Sequence, residues 1–375
     1  MVHTCKRCIM DDQNDPDLIL DKNGICNHCH NFDTAFSKIP TGNNADIHFN
    51  ETVEKIKAEG KGKPYDCVIG VSGGVDSTYL CYVAKQHGLR PLLVHCDNGW
   101  NSELSVMNIE NIVQKTGFDL HTLVLDWQEF KDIQLSFFKA GVVDIELPYD
   151  YALIISIYKA ALKYRVKYVL TGHNIVTEGT YLPKSWRHAK MDIVNIKGIH
   201  KLFGKLPMKS FPHFSFLKQY RINKKLNYVH LLNYTSYNKA AVKELIIEKM
   251  GWRDYGGKHY ESIFTRFYQG YILKEKFKID KRQFHISVLV QSKQITRDEA
   301  FVEYALPAYN ALQCSEDKEY VIKKLEFTTE EFENYMNSPI HKHEEYPCIS
   351  RYWDIYFKAI KVLKPLKNIT KRLAK

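Results

Sequence analysis

Long apolar runs are missing from this chain of 375 residues. None approaches the roughly 18 residues of a membrane-spanning helix, so no transmembrane segment is expected. The opening residues, MVHTCKRCIMDD, lack the apolar centre of a secretory signal. A soluble, cytoplasmic protein is the expectation that follows. Internal repeats and low-complexity stretches are missing too. Cysteines are present, but they number nine and are unevenly spread. An odd, clustered set argues against a disulfide framework and for metal or free-thiol use.

What the chain does have is enough apolar material, 45% of its residues, for a large core divided over two or three domains. Its formal net charge is +10. That balance favours anionic partners such as nucleotides, sugar phosphates, nucleic acid or an acidic membrane face, without choosing among them.

Four of the cysteines form two C-x-x-C pairs, Cys5 with Cys8 and Cys26 with Cys29. Each pair folds as a tight knuckle that points two thiolates at one centre, and two knuckles complete the tetrahedral shell zinc prefers. The intervening DDQNDPDLILDKNG is polar and turn-rich, so metal would supply the folding energy of this module. His28 or His30 could replace one cysteine, and an iron–sulfur cluster or free thiols remain alternatives. A closed four-ligand shell implies a structural metal.

Beyond the linker-like IPTGNNADIHFN the pattern becomes α/β. Strands are expected at 66–71, 91–96, 120–125 and 168–171, and helices at 77–87, 105–116 and 151–164. Alternation of this kind implies βαβ units and a parallel sheet, with ligands beyond the carboxyl ends of the strands. The first strand runs straight into Ser72-Gly-Gly-Val-Asp-Ser77. This is neither G-x-x-x-x-G-K-[ST] nor G-x-G-x-x-G. Gly73 and Gly74 permit a turn that brings backbone N–H groups onto an anion at a helix start, and Ser72 and Ser77 add hydroxyls. Asp76 has the wrong sign for a phosphate unless it holds magnesium.

SGGVDS resembles the PP-loop of the ATP pyrophosphatase superfamily, which includes GMP synthetase, NAD synthetase, argininosuccinate synthetase and tRNA lysidine and thiolation enzymes. The resemblance implies an adenine-nucleotide α-hydrolase-like (Rossmann-like) fold and cleavage of ATP between its α and β phosphates. It implies that Ser72, Gly73, Gly74, Asp76 and Ser77 bind the pyrophosphate. Gly172 and His173 of TGHN would then lie near the adenylate, Asp97 near adenine or ribose, and Asp76 with Glu178 on Mg2+.

RNA thiolation enzymes also join cysteine pairs to such a loop. Here Cys67, Cys81, Cys96, Cys314 and Cys348 form no further C-x-x-C, which weighs against sulfur transfer. The downstream stretch GWRDYGGKHYESIFTRF interleaves aromatic and basic residues, a composition suited to a sugar ring and an anionic group. From the cysteine pairs through SGGVDS and TGHN to TRFYQ and ITRDEA, the chain resembles the N-acetyl sugar amidotransferases of surface-polysaccharide gene clusters. That likeness implies conversion of an acetamido to an acetamidino group on a nucleotide-activated sugar of the lipopolysaccharide O-antigen or on a nonulosonic acid of the pseudaminic acid type. It implies ATP, Mg2+ and Zn2+ as cofactors. It also implies a glutaminase subunit related to the histidine-biosynthesis amidotransferase, with a cyclase-like barrel protein, since no glutaminase domain is visible in these residues. No nucleic-acid partner is expected on this reading, and the alternative is a PP-loop tRNA-modifying enzyme of the thiolation or lysidine type.

Candidate catalytic residues are Asp76, Lys258 and Arg266. Candidate acceptor contacts are Asp150, Lys258, His259, Glu261 and Arg266. Asp150 also suits the cap of the helix that follows it. Arg297, Asp298 and Glu299 in ITRDEA read as a capped helix start, with substrate contact as the second option. The closing KAIKVLKPLKNITKRLAK is basic without an acidic residue, a solvated tail or a contact for an acidic partner or membrane surface. The expected layout is a zinc module over 1–45, a nucleotide domain over 46–210 and a mostly helical acceptor and partner region over 211–375.

Overall fold

Residues 2–257 and 260–351 are described by the structure, a computed structural model. Lys258, His259 and the basic closing stretch lie outside the described residues.

Five short segments form one sheet: β1 (Cys67–Gly70), β2 (Pro91–Asp97), β3 (Leu120–Val124), β4 (Tyr168–Leu170) and β5 (Asn227–Val229). All neighbours are parallel, in the order β3-β2-β1-β4-β5. Side chains alternate between two faces, as the strand period of two requires. Val68, Leu92, Val94, Cys96 and Val169 enter one core. Cys67, Ile69, Leu93, Tyr168 and Leu170 enter the other. Helices cover both faces, giving the expected three-layered α/β architecture. The fifth strand comes from beyond residue 210, where the sequence pattern placed the edge of the nucleotide domain.

Helix ends follow local chemistry. Ser102 caps the helix Glu103–Thr116 through Ser105 N, and Gly117 closes it at φ +73°. Asp126 and Gly141 do the same for the helix Trp127–Ala140. That helix also holds the chain that leaves the nucleotide unit. The buried Glu129 carboxylate accepts from Ser210 N and Phe211 N at 2.8 and 3.0 Å. Asp132 accepts from His200 Nε2 and the Lys205 and Leu206 amides at 2.8–3.0 Å.

Asp150 is not a cap. The helix begins earlier, at Leu147, with Pro148 in its first turn, where a missing N–H leaves no bond unmade. Asp150 sits within that turn and pairs with Lys190 at 2.6 Å. The same Lys190 Nζ lies 2.8 Å from both oxygens of buried Asp144.

The cysteine knuckles pack against the rest of the chain. Their cysteines belong to the same core as the sheet and the C-terminal helices. Asn14 Nδ2 donates to Asp280 O and Gln283 Oε1 at 2.9 and 2.7 Å. Arg297, at the start of a helix with a complete Thr296–Glu299 capping box, reaches back to the carbonyls of Cys8 and Cys5 at 3.1 and 2.9 Å. Its side chain therefore braces the knuckles.

Burial opposes ionisation of Asp144, but the charges of Lys190 and Lys281 outweigh it and hold its carboxyl down to about 2. A folded pKa below the unfolded value contributes stability that is present above the unfolded value and lost as pH falls through the folded one. Chemical denaturation from pH 5 to pH 2 should thus show a loss of about 2 kcal/mol that Asp144→Asn lacks. Equal pH slopes for the two proteins would remove this assignment.

Candidate functional site

Strand order reverses between β1 and β4, and the crevice at their carboxyl ends is the topological switch point of the sheet. Ser72 follows β1 and Gly172 follows β4 there. The approach is close. A Cβ on Gly172 would lie 3.0 Å from the Asp76 backbone carbon and 3.1 Å from Ser77 N. Gly73 has φ +78°, and a Cβ on it would meet Ser105 O at 2.6 Å. Both glycines are therefore demanded by space, and Gly73 also by backbone conformation.

Outside contacts set how the loop faces. Ser105 Oγ donates to Ser72 O at 2.9 Å. Trp252 Nε1 and Asn108 Nδ2 donate to Gly73 O at 2.9 and 3.3 Å. In a trans peptide the carbonyl and the following N–H point oppositely. Holding the two carbonyls outward turns the amides of Gly73 and Gly74 the other way, at the start of the helix Val75–Gln86. The Gly74 amide there meets Ser72 Oγ at 3.3 Å. Converging amides at a helix start are an anion site.

A cavity of about 360 Å³ opens at this loop. Ser72, Gly74, Asp76, Ser77, Gly172, His173, Glu178 and Glu261 all line it, so most of the residues singled out from sequence do converge. Asp76 Oδ1 accepts from Asn174 Nδ2 at 3.1 Å and from the Tyr237 hydroxyl. Burial, then Asp76 and Glu178, pushes the Tyr237 phenol well above its ordinary value, so it stays a donor. Two carboxylates, Asp76 and Glu178, thus face one oxygen-lined space at an anion site, a donor set that fits magnesium. His173 packs edge-on to His230, with ring centroids 4.9 Å apart. Burial and then His173 push His230 down to about 4, which keeps it neutral.

The downstream stretch reaches this loop through backbone pairing. Ser102 N donates to Glu261 O and Ile263 N to Trp100 O, each at 2.9 Å. This lays residues 261–263 beside the loop that follows β2. Glu261 Oε1 comes within 3.4 Å of Ser72 Oγ, and Tyr255 Oη would lie 3.4 Å from a Cβ on Gly74.

Three candidates lie elsewhere. Asp97 Oδ1 accepts from Gly99 N and Asn101 Nδ2 at 2.8 and 3.2 Å and shapes the turn after β2, outside the cavity lining. Arg266 is buried and forked onto Asp317 at 2.6 and 2.8 Å, a contact between helices. Asp150 is held by Lys190. Sequence reasoning missed Tyr237, Asn108 and Trp252, which carry no motif. Only their contacts with Asp76 and Gly73 mark them.

The four cysteine sulfurs all lie within 4.8 Å of one another and are buried. Cys5–Cys29 and Cys8–Cys26 Sγ separations are 3.9 and 3.6 Å. A tetrahedral ion with Zn–S bonds near 2.3 Å spaces its sulfurs about 3.8 Å apart. Amides of Arg7, Cys8 and Cys26 point at Cys5 Sγ at 3.3–3.5 Å, as a thiolate ligand requires. The set fits one tetrahedral ion, and a cluster of several irons would spread the sulfurs further. His28 and His30 are turned instead to Asp15 and Asp21, at 2.7 and 3.1 Å.

Residues 261–361 match the family model described as "LPS biosynthesis protein WbpG-like, C-terminal domain". A curated tRNA(Ile)-lysidine synthase of Chlamydia pneumoniae is 34% identical over 71 residues, 18% of this chain and 22% of that protein. The chain thus spans about a fifth of the length of this relative. Among solved structures, NMN synthetase from Francisella tularensis aligns with TM-score 0.29 and 16% identity, over 35% of this chain and 56% of that one. A predicted subunit of a tRNA methyltransferase from Methanocaldococcus jannaschii aligns with TM-score 0.27 and 14% identity, over 48% and 74%.

Gly172→Ala should weaken binding of ATP offered to this site about tenfold or more, since the backbone of Asp76 and Ser77 and the Asp76 Cβ stand in the way of the added methyl. Equilibrium dialysis with ATP checks this, and unchanged affinity would mean that the close approach is unimportant. Chelation should release one metal per chain and lower Tm by more than about 5 °C, because the knuckles join the N-terminal segment to the helices around residues 281–305. Metal analysis and calorimetry read both, and a chelated protein of unaltered Tm would refute the structural role.

Proposed function

We propose that this chain, whose WbpG-like segment begins at the wall of a PP-loop cavity, is an ATP-using enzyme of lipopolysaccharide biosynthesis that converts the acetamido group of a sugar to an acetamidino group. The observation that carries the reading is the placement of Glu261, the first residue of the matched segment, 3.4 Å from Ser72 of the phosphate loop. A nucleotide site and a polysaccharide-family segment share one cavity.

The chemistry follows from what each part can do. The acetamido oxygen attacks the α-phosphorus of ATP, and pyrophosphate leaves onto the amides and hydroxyls of Ser72–Ser77. Magnesium, held by Asp76 and Glu178, would neutralise phosphate charge. Ammonia then adds to the O-adenylyl imidate carbon, AMP leaves with the former acetamido oxygen, and a proton is released as the amidine forms. Such steps depend on oriented donors and exclusion of water more than on a strong base. Asn174 and Tyr237 orient Asp76. Trp252, Tyr255 and Glu261 line the cavity beside the loop, where they would limit access of solvent. Gly172 lets the end of β4 approach the loop, and His173 lies beside it for contact with the adenylate. Ammonia would come from a separate glutaminase subunit. Among the described residues no helix is long and apolar enough to cross a membrane.

Incubation with ATP, ammonium and an acetamido nucleotide sugar should yield AMP, pyrophosphate and a sugar lighter by the difference between O and NH. Asp76→Asn should lower this turnover by about two orders of magnitude or more while leaving Tm unchanged. Lack of an amidine product on every acetamido sugar offered, combined with ATP-dependent modification of tRNA, would transfer the assignment to RNA.

A further inference from the structure

A second cavity, of about 380 Å³, lies behind the glycine pair and shares Lys239, Gly256 and Gly257 with the nucleotide cavity. Its size falls within the range of small-molecule sites. One wall is a widened helical turn, Tyr268–Ile272, inserted after the helix Ile263–Phe267. Such turns gather at functional sites. Gln269 and Gly270 of that turn line the cavity. The facing wall is the start of the helix Lys281–Gln291.

The cations of that wall differ in how they are held. Arg282 is forked onto Asp280 and donates to Leu306 O at 2.9 Å. Among the described residues Lys281 has no such partner. Its Nζ sits over the Tyr268 ring, 5.5 Å from the centroid. The carboxylates that act on it are occupied. Asp144 and Asp150 are taken by Lys190, and Glu146 accepts from Thr265 and Gln269. Burial lowers the Lys281 pKa, and the charges of Glu146, Asp144 and Asp150 only partly offset it. A buried ammonium that shares its carboxylates with another lysine is costly, and an anion beside it would reduce that cost. Tyr260, anchored through its hydroxyl to Ala308 O, adds an aromatic wall.

Attack on the α-phosphorus must come from the side opposite the departing pyrophosphate. The acceptor therefore needs a space that opens on the nucleotide cavity and is not filled by nucleotide. We infer that this second cavity is the acceptor subsite, in which Lys281 holds the anionic group of an acetamido sugar while the acetamido end reaches past Gly256 and Gly257. The inference rests on the amidotransferase reading above and names the place of its substrate. The anionic group is either the diphosphate of a nucleotide sugar or the carboxylate of a sugar acid.

Calorimetric titration of the full chain with UDP-N-acetylglucosamine and with N-acetylneuraminate separates these two sources, with α,β-methylene-ATP as the nucleotide control. Lys281→Gln should weaken the sugar that binds by about tenfold or more and leave the nucleotide analogue within about twofold. Lys281→Arg should restore binding. Ala308→Trp, at the rim, should block the sugar without touching the buried charge. The inference is overturned if neither sugar binds the wild-type chain at millimolar concentration, or if sugar affinity is unchanged in Lys281→Gln and Ala308→Trp. Normal amidine formation by Ala308→Trp would remove the subsite and leave nitrogen transfer standing. Loss of sugar binding in both variants, with no amidine formed by the wild type, would keep the subsite and remove nitrogen transfer.

Discussion

The carbonyl of Gly73 is the point on which this molecule turns. It accepts from Asn108 in the helix after β2 and from Trp252, 179 residues downstream. Those donors, with Ser105 on the carbonyl of Ser72, decide which way the loop amides face. A phosphate loop is an anion site only when its carbonyls are turned out of the site. Here two remote elements do the turning, so the facing of the loop amides and the placement of the downstream stretch are one structural event.

The same economy holds between the N-terminal knuckles and the helices after residue 280. The cysteine knuckles are braced by Arg297, 289 and 292 residues away, and by Gln291, whose side-chain nitrogen lies 3.5 Å from Cys29 Sγ. Asn14 and Ser287 join the same contact. A metal in the knuckles therefore stiffens the helix Lys281–Gln291, whose other end forms a wall of the second cavity. A metal held there would thus bear on the geometry of the proposed acceptor site.

Charge is distributed with equal care. Asp76 is oriented by Asn174 and Tyr237, and Arg266 is spent on Asp317. Lys190 bridges Asp144 and Asp150. These pairings leave Lys281, among the charged groups of the second cavity, held by an aromatic ring rather than a carboxylate. The two cavities share a wall at Gly256 and Gly257, where the proposed nucleotide and acceptor sites would meet.

Local chemistry alone determined a good deal of this protein. Strand period, capping residues and glycine stops placed four of the five strands and several helices to within a few residues, because those signals act over short distances. SGGVDS and the two C-x-x-C pairs marked the phosphate loop and the metal knuckles for the same reason. Tertiary structure alone decided that β5 joins the sheet, that Asp97, Asp150 and Arg266 serve turns and ion pairs, and that Tyr237, Trp252 and Asn108 hold the loop. Contacts between residues from tens to more than a hundred positions apart have no local pattern. An arginine destined for a buried aspartate looks the same in sequence as one destined for a ligand.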